Sequence, residues 1–242
     1  MNIINYVWLG GKQKPDLVRA CIDSWRKYCP SATIKEWNEE NYDINSHPYV
    51  RQAYRDGKYA FAADYIRMDV LYRYGGVYLD TDVELIRDIT PLLSDNFMGL
   101  EGAGRVAPGL IINSHKYEPL LKKILTCYDD ISSGSINYDR TIVDIVSDIL
   151  IKDGLRVENT LQCVDNFLIY PTEYFNPIGE NYGRVKIKEN TYSIHHYMAS
   201  WKNELDQKLM RYKVKYGKRK GKLLFIIRHP ILALQKRKDR KC

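Results

Sequence analysis

The chain has 242 residues, of which 45% are hydrophobic and 28% are charged, and this length and composition predict a globular α/β protein with a single core. The net charge of +7 is unevenly distributed, because Leu205–Cys242 carries 14 Lys and Arg against two Asp, whereas Met1–Glu204 carries 23 against 28 acidic residues. The charge of the body, Met1–Glu204, therefore gives no reason to expect nucleic-acid binding. Only the charge of the tail, Leu205–Cys242, is compatible with it.

The cysteines and the apolar runs predict a cytoplasmic protein. The five cysteines include no close pair with the spacing of a metal site, and we expect them to be reduced thiols. The first apolar segment, Ile3–Leu9, lacks the basic flank and the length of a secretory signal. The apolar runs fall far short of the ~20 residues that a transmembrane helix requires.

The first predicted elements are a strand, a helix and a second strand. Ile3–Leu9 is apolar, Pro15–Tyr28 places apolar residues on one helical face, and Ala32–Trp37 alternates. This order favours a parallel sheet with a crossover helix.

Helices and short strands follow in the rest of the body. The predicted helices are Pro48–Asp56, Ala60–Tyr74, Glu118–Ile131 and Asp139–Lys152. The predicted strands are Val77–Leu79, Val83–Ile86, Phe97–Glu101, Leu110–Asn113, Arg156–Val157, Leu161–Val164 and Phe167–Tyr170. We predict one α/β domain over residues 1–204, with a mainly parallel central sheet flanked by helices, and a basic appendage over residues 205–242.

Two aspartates follow the short apolar strand Val77–Leu79. Asp80 and Asp82 are two residues apart and emerge from the core at the carboxyl end of that strand, where ligands of open α/β sheets gather. Two such carboxylates suit a hard divalent cation, which in turn can bind a diphosphate. An Asp-x-Asp sequence by itself is also typical of a solvated turn.

Two further sets of polar residues accompany the acidic pair. Asp64 and Arg67 are three residues apart and therefore share one helix face. They could form a simple surface ion pair, or Asp64 could bind a sugar hydroxyl and Arg67 a phosphate. His195 or His196 could complete a metal site begun by the aspartates, and a mixed imidazole–carboxylate set suits Mn²⁺ as well as Mg²⁺. No zinc-protease, nucleophile-elbow or phosphate-loop motif occurs.

Four motifs follow one another along the chain from about Ile3 to Trp201. They are Trp8-Leu9-Gly10-Gly11, Ala63-Asp64-x-x-Arg67, Leu71-Tyr72-x-x-Gly75-Gly76-x-Tyr78-Leu79-Asp80-x-Asp82 and His195-x₄-Ser200-Trp201. In this order they resemble glycosyltransferase family 32, which includes fungal initiating mannosyltransferases and bacterial surface-polysaccharide transferases and is distantly similar to the glucosylating toxins.

The resemblance implies a GT-A-type nucleotide-sugar-binding fold and a retaining transfer that depends on Mn²⁺ or Mg²⁺. It implies a UDP- or GDP-sugar donor and a glycan acceptor, with a lipid-linked glycan as one option, in surface polysaccharide synthesis. A front-face displacement and a double displacement both remain open, because the sequence identifies no nucleophile.

The resemblance also implies a role for each site residue. The implied catalytic residues are Asp80, Asp82 and Arg67, and the implied metal ligands are Asp80, Asp82 and His195, with His196 as the less favoured histidine. Trp8 would stack on the nucleobase, and Asp64 and Arg67 would hold the donor sugar and diphosphate. Asp80 would also contact the sugar or ribose, and Ser200 and Trp201 would close over the diphosphate.

The basic tail has apolar residues between cationic blocks. This pattern is typical of an anchor on an anionic membrane surface, so we expect a peripheral location on the cytosolic face of the membrane. Two alternatives remain: a nucleic-acid-binding protein that acts through the tail, although no base-reading motif is evident, and a metal-dependent nucleotide-sugar phosphohydrolase.

Overall fold

The computed structural model describes residues 3–132, 140–178, 185–198 and 204–230. The helices are α1 (Asp16–Tyr28), α2 (Pro48–Arg55), α3 (Tyr59–Tyr74), α4 (Pro119–Ser132), α5 (Ile142–Lys152), α6 (Thr172–Phe175), α7 (Glu204–Tyr216) and α8 (Lys218–Arg228). The strands are β1 (Ile3–Val7), β2 (Thr33–Trp37), β3 (Gly76–Tyr78), β4 (Val83–Leu85), β5 (Phe97–Gly102), β6 (Arg105–Val106), β7 (Ile112–Ser114), β8 (Gln162–Val164), β9 (Phe167–Tyr170) and β10 (Ser193–His195).

The central sheet has the order β2-β1-β3-β7-β5-β9-β8, with β6 paired to β5. Strands β7 and β8 are antiparallel to their neighbours in this path, and the other five strands share one direction. The predicted β-α-β opening is confirmed, since β1 and β2 pair in parallel from Ile3 opposite Thr33 to Val7 opposite Trp37. The predicted mainly parallel α/β sheet is likewise confirmed.

The side chains of β3 separate two hydrophobic layers. Tyr78 belongs to the core that includes residues of α2, α3, α4 and α5, whereas Val77 and Leu79 belong to the core that includes residues of α1. Successive side chains of a strand point to opposite faces, so a sheet covered on both sides needs apolar residues at every position. The apolar run Val77–Leu79 meets this requirement.

Two glycines connect α3 to β3. Gly75 and Gly76 have φ angles of 68° and 97°, which residues with a Cβ rarely adopt. A Cβ on Gly76 would also lie 2.7 Å from the carbonyl oxygen of Ile3 on β1. Glycine at these positions therefore lets the chain leave α3 and enter the centre of the sheet within two residues.

The structure confirms one of the later predicted strands and corrects another. The strand predicted at Val83–Ile86 is confirmed as β4, which pairs antiparallel with β10 in a separate two-stranded sheet. The strand predicted at Arg156–Val157 is wrong, because the amide of Gln162 binds the backbone N–H and carbonyl of Arg156 and thereby closes an irregular turn.

Candidate active site

The acidic turn begins where β3 ends, in the middle of the sheet. Strand β3 lies between β1 and β7 and is parallel to β1, so Asp80 and Trp8 both follow the carboxyl ends of adjacent parallel strands. Open α/β sheets bind ligands at this edge. The fold thus brings an N-terminal aromatic residue and the acidic turn to one edge of the sheet.

One buried guanidinium joins two of the carboxylates. Nη2 of Arg67 lies 2.9 Å from Oδ1 of Asp80 and 3.0 Å from Oδ1 of Asp64. Arg67 itself is 5% exposed, and its Nε is buried without a hydrogen-bond partner. A buried guanidinium is normally fully hydrogen-bonded, so this unpartnered donor is unusual for an ion pair with a purely structural role.

Tyr78 contacts the same ion pair from the face of β3 that packs against α3. Its ring centre lies 4.7 Å from Cζ of Arg67, and its hydroxyl donates a hydrogen bond of 3.2 Å to Oδ1 of Asp80. Cation–π contact and hydrogen bond together restrict both partners. The sequence motif contained Tyr78, but only its position under Arg67 reveals this positioning role.

Burial and charge act in opposite directions on this cluster. Burial raises the pKa of Asp64 to about 7, although Arg67 opposes the rise. Burial also raises the pKa of Asp80, and Arg67 again favours the charged form. For Arg67, burial disfavours the charge, but the carboxylates outweigh it and raise the pKa further. The guanidinium is therefore the charged group on which the two acids depend.

Gly109 closes the site over the ion pair. A Cβ at this position would lie 2.1 Å from Oδ2 of Asp80 and 2.9 Å from Nη1 of Arg67. The Gly109 carbonyl also accepts a hydrogen bond of 3.0 Å from the backbone N–H of Asp80. Sequence reasoning missed this glycine, because no local motif marks a residue that approaches from 29 positions away.

The second aspartate binds a distant histidine. Nε2 of His195 lies 3.2 Å from Oδ1 of Asp82, and the backbone N–H of Met198 donates a hydrogen bond of 2.7 Å to Oδ2. The pairing of β10 with β4 places His195 opposite Val83, directly after the acidic turn. The small second sheet therefore brings the C-terminal motif to Asp82.

The electrostatics of this second pair favour two charged partners. Burial lowers the pKa of His195, but Asp82 outweighs it and raises the pKa above its usual value. Burial conversely raises the pKa of Asp82, and His195 together with hydrogen bonds lowers it below its usual value. Nδ1 of His195 is buried without a hydrogen-bond partner.

The neighbouring histidine points elsewhere. Nε2 of His196 lies 2.9 Å from Oε2 of Glu84, and only its backbone N–H binds Asp82, through the carbonyl oxygen at 2.9 Å. Side chains alternate along a strand, so His195 and His196 face different groups. The geometry thus distinguishes two histidines that the sequence left open.

The remaining predicted residues contribute less to the described geometry. Trp8 is partly buried, and its Nε1 donates a hydrogen bond of 2.7 Å to the carbonyl oxygen of Lys12. Nζ of Lys14 lies 5.5 Å from the ring centre of Trp8. The closing residues Ser200 and Trp201 lie outside the described residues.

The predicted three-ligand metal set is only partly assembled. Among the described residues, no group of three or more His, Cys, Asp or Glu side chains is arranged to hold a metal ion. Asp82 and His195 lie side by side, whereas Asp80 is held by Arg67 and Tyr78. The carboxylate of Asp82 is the kind of oxygen donor that Mn²⁺ and Mg²⁺ prefer, and an imidazole beside it is compatible with such a site.

The acidic turn lies within a segment that is similar to a known protein family. Residues 15–98 match the family model described as "Glycosyltransferase sugar-binding region containing DXD motif", a span that includes Asp64, Arg67, Asp80 and Asp82. A search of curated proteins found no match.

Two solved structures are similar to the chain. The "PaToxG Glycosyltransferase" is 18% identical with a TM-score of 0.51, covering 63% of this chain and 69% of that chain, which supports a shared fold. A "glycosyltransferase involved in the glycosylation of the major capsid of PBCV-1" is 12% identical with a TM-score of 0.44, covering 83% and 95%.

Proposed function

We propose that the chain is a DXD-motif glycosyltransferase, resembling family 32, that transfers a sugar from a UDP- or GDP-sugar to a glycan acceptor. The match of residues 15–98 to the family model and the GT-A-type fold support this proposal. The transfer would depend on Mn²⁺ or Mg²⁺, retain the configuration of the anomeric carbon and serve surface polysaccharide synthesis. The observation that carries this proposal is the buried Arg67 between Asp64 and Asp80, next to the Asp82–His195 pair.

The first requirement of such a transfer is to hold the donor. Arg67 carries a charge that two carboxylates maintain against the cost of burial, and its unpartnered Nε would donate to an oxygen of the diphosphate or the sugar. Asp64 lies beside it with a raised pKa and accepts from, or donates to, a sugar hydroxyl. Trp8, at the end of the neighbouring strand, offers a ring on which the nucleobase stacks.

The second requirement is to stabilise the leaving diphosphate as the bond to the sugar breaks. Asp82 and His195, together with Asp80, would hold the divalent ion, which neutralises charge on the diphosphate. Arg67 adds a fixed positive charge to the same wall. We assign Ser200 and Trp201 to closure over the diphosphate by their resemblance to the family motif.

A donor-turnover assay tests this function. The full chain is incubated with a panel of UDP- and GDP-sugars and Mn²⁺, and the release of nucleotide diphosphate is measured with and without EDTA. We expect turnover of one donor that EDTA abolishes and that Asp82→Asn lowers by at least about a hundredfold. Asp148→Asn is the matched control, because its carboxylate forms an exposed ion pair with Arg140.

Two outcomes decide between transfer and its alternatives. Full donor turnover by Asp82→Asn would overturn the assignment of the acidic turn. Release of free sugar alone, with every candidate acceptor present, would instead identify a nucleotide-sugar phosphohydrolase. The anomeric configuration of the glycan product, measured by NMR, tests retention separately.

A further inference from the structure

The basic C-terminal segment of the chain folds into two helices that pack against each other, here called the C-terminal hairpin (Glu204–Arg228). The rings of Tyr212 on α7 and Phe225 on α8 meet edge to face at 5.7 Å, and the Tyr212 hydroxyl lies 3.1 Å from Nε2 of His229. A Cβ on Gly221 would lie 2.3 Å from the Tyr212 carbonyl, so glycine permits this close approach. The inner side of the hairpin is therefore the side on which α7 and α8 contact each other.

The outer side of α8 carries large apolar residues. Phe225 is 1% exposed on the inner side, whereas Leu223 is 58% and Ile227 is 64% exposed. Residues four apart lie on one helix face, so these two aliphatic side chains form a continuous exposed pair. The packing of the described residues covers neither side chain, and an exposed apolar pair with a polar rim can serve as an interaction surface.

Cationic residues surround this apolar pair. Arg219 and Lys220 are exposed and lie four and three residues before Leu223, hence on the same face, and the exposed Lys222 lies beside them. Between Leu205 and Pro230, nine Lys and Arg stand against a single acidic residue, Asp206. The surface is therefore both apolar and strongly positive.

We propose that the outer face of α8 docks on an anionic lipid bilayer surface. Leu223 and Ile227 enter the boundary between headgroups and acyl chains, while Arg219 and Lys220 bind lipid phosphates. The described residues include no helix that is both long and apolar enough to cross a membrane.

The aliphatic pair favours lipid over nucleic acid as the occupant. Positive charge alone suits both partners. Single-stranded nucleic acid gains binding energy by stacking bases on aromatic side chains, whereas aliphatic side chains gain most from acyl surroundings. The exposed pair on α8 is aliphatic, which favours lipid. The positive charge around the pair favours a bilayer that contains anionic lipids.

Cosedimentation of the full chain with vesicles tests this surface. The vesicles contain phosphatidylcholine alone or mixed with phosphatidylglycerol. We expect the chain to bind only the mixed vesicles, and Leu223→Ser/Ile227→Ser to lower the partition coefficient about tenfold or more. Arg219→Gln/Lys220→Gln should lower it by a similar factor and weaken its dependence on salt.

The matched control is Leu161→Ser/Ile187→Ser, which removes two aliphatic side chains that are 52% and 61% exposed in the body. This control should bind vesicles as the wild type does, and circular dichroism should be the same for every variant. Donor turnover should also be unchanged in the α8 variants, so that a failure of this proposal is distinguishable from a failure of the proposed function.

Three outcomes would overturn the proposal. Equal vesicle binding by Leu223→Ser/Ile227→Ser and wild type would exclude the apolar pair. Binding of single-stranded RNA that depends on Arg219 and Lys220, without vesicle binding, would assign the surface to nucleic acid. A wild-type dimer that light scattering shows to dissociate in Leu223→Ser/Ile227→Ser, without vesicle binding, would assign it to a second copy of the chain.

Discussion

Nη2 of Arg67 lies 2.9 Å from Oδ1 of Asp80, so that a residue of α3 holds the first aspartate of the acidic turn. The same nitrogen lies 3.0 Å from Asp64, one helical turn earlier. Because Arg67 is almost completely buried, its charge depends on the two carboxylates rather than on water. We therefore expect a change at Arg67 to affect both the free energy of unfolding and the position of the Asp80 carboxylate.

Replacement of Arg67 by Met is expected to destabilise the protein strongly. The change leaves the partly buried carboxylates of Asp64 and Asp80 without their cation, which costs up to about 3–5 kcal/mol in the free energy of unfolding. Urea denaturation measures this loss. The control is Arg140→Met, whose ion pair with Asp148 is more than half exposed on both sides and should cost less than about 1 kcal/mol. Equal losses in the two variants would contradict the structural role of Arg67.

Gly109→Ala is expected to displace Asp80. The added methyl group would occupy space 2.1 Å from Oδ2 of Asp80, so the carboxylate or the loop must move. A displacement of about 1 Å at a reacting centre can lower turnover about a hundredfold, and we expect a loss of this order. Gly57→Ala is the control, since its φ of 68° gives backbone strain but nothing lies within 4 Å. Donor turnover by Gly109→Ala at the control's rate would show that the close approach has no functional consequence.

Tyr78→Phe is expected to weaken the hold on Asp80 while keeping the ring under Arg67. Loss of the hydroxyl removes a hydrogen bond to a carboxylate, worth about 1.5–3 kcal/mol. Tyr42→Phe removes a comparable buried bond, 2.8 Å to Asp69, outside the site. Both variants should lose stability, but only Tyr78→Phe should lower the donor-turnover rate. A lower rate in both would indicate a general effect of destabilisation.

The stability contributed by Glu36 should depend on pH. Burial would raise the pKa of Glu36, but hydrogen bonds from Lys14, Tyr6 and Asn38 outweigh it and lower the pKa below its usual value. A carboxyl whose pKa is lowered in the folded state stabilises the protein above its unfolded pKa of about 4.3, and this contribution is lost as the pH falls through the folded value.

Glu36→Gln measures that contribution. The variant should be about 2 kcal/mol less stable than the wild type at neutral pH, because it loses charge-assisted hydrogen bonds. The difference should close as the pH falls below about 4. Urea denaturation at a series of pH values tests the sign, and a difference that grows on acidification would contradict it.

Local patterns were sufficient to predict the layers of the fold and the acidic turn. The spacing of apolar residues identified α1, and an uninterrupted apolar run identified β3, since the burial of these elements depends on their own side chains. The strand predicted at Arg156–Val157 was wrong because the side-chain amide of Gln162, six residues later, forms hydrogen bonds with the backbone N–H and carbonyl of Arg156.

The amino-acid sequence by itself determined the β-α-β opening, the position of the Asp80–Asp82 turn at the end of a buried strand, and the charge of the C-terminal segment. Tertiary structure alone decided that Arg67 holds Asp80, that Gly109 closes over this pair, and that β10 carries His195 to Asp82. The physical reason is separation along the chain. Helix and strand patterns reflect neighbours within a few residues, whereas these contacts join segments that only the packing of the sheet brings together.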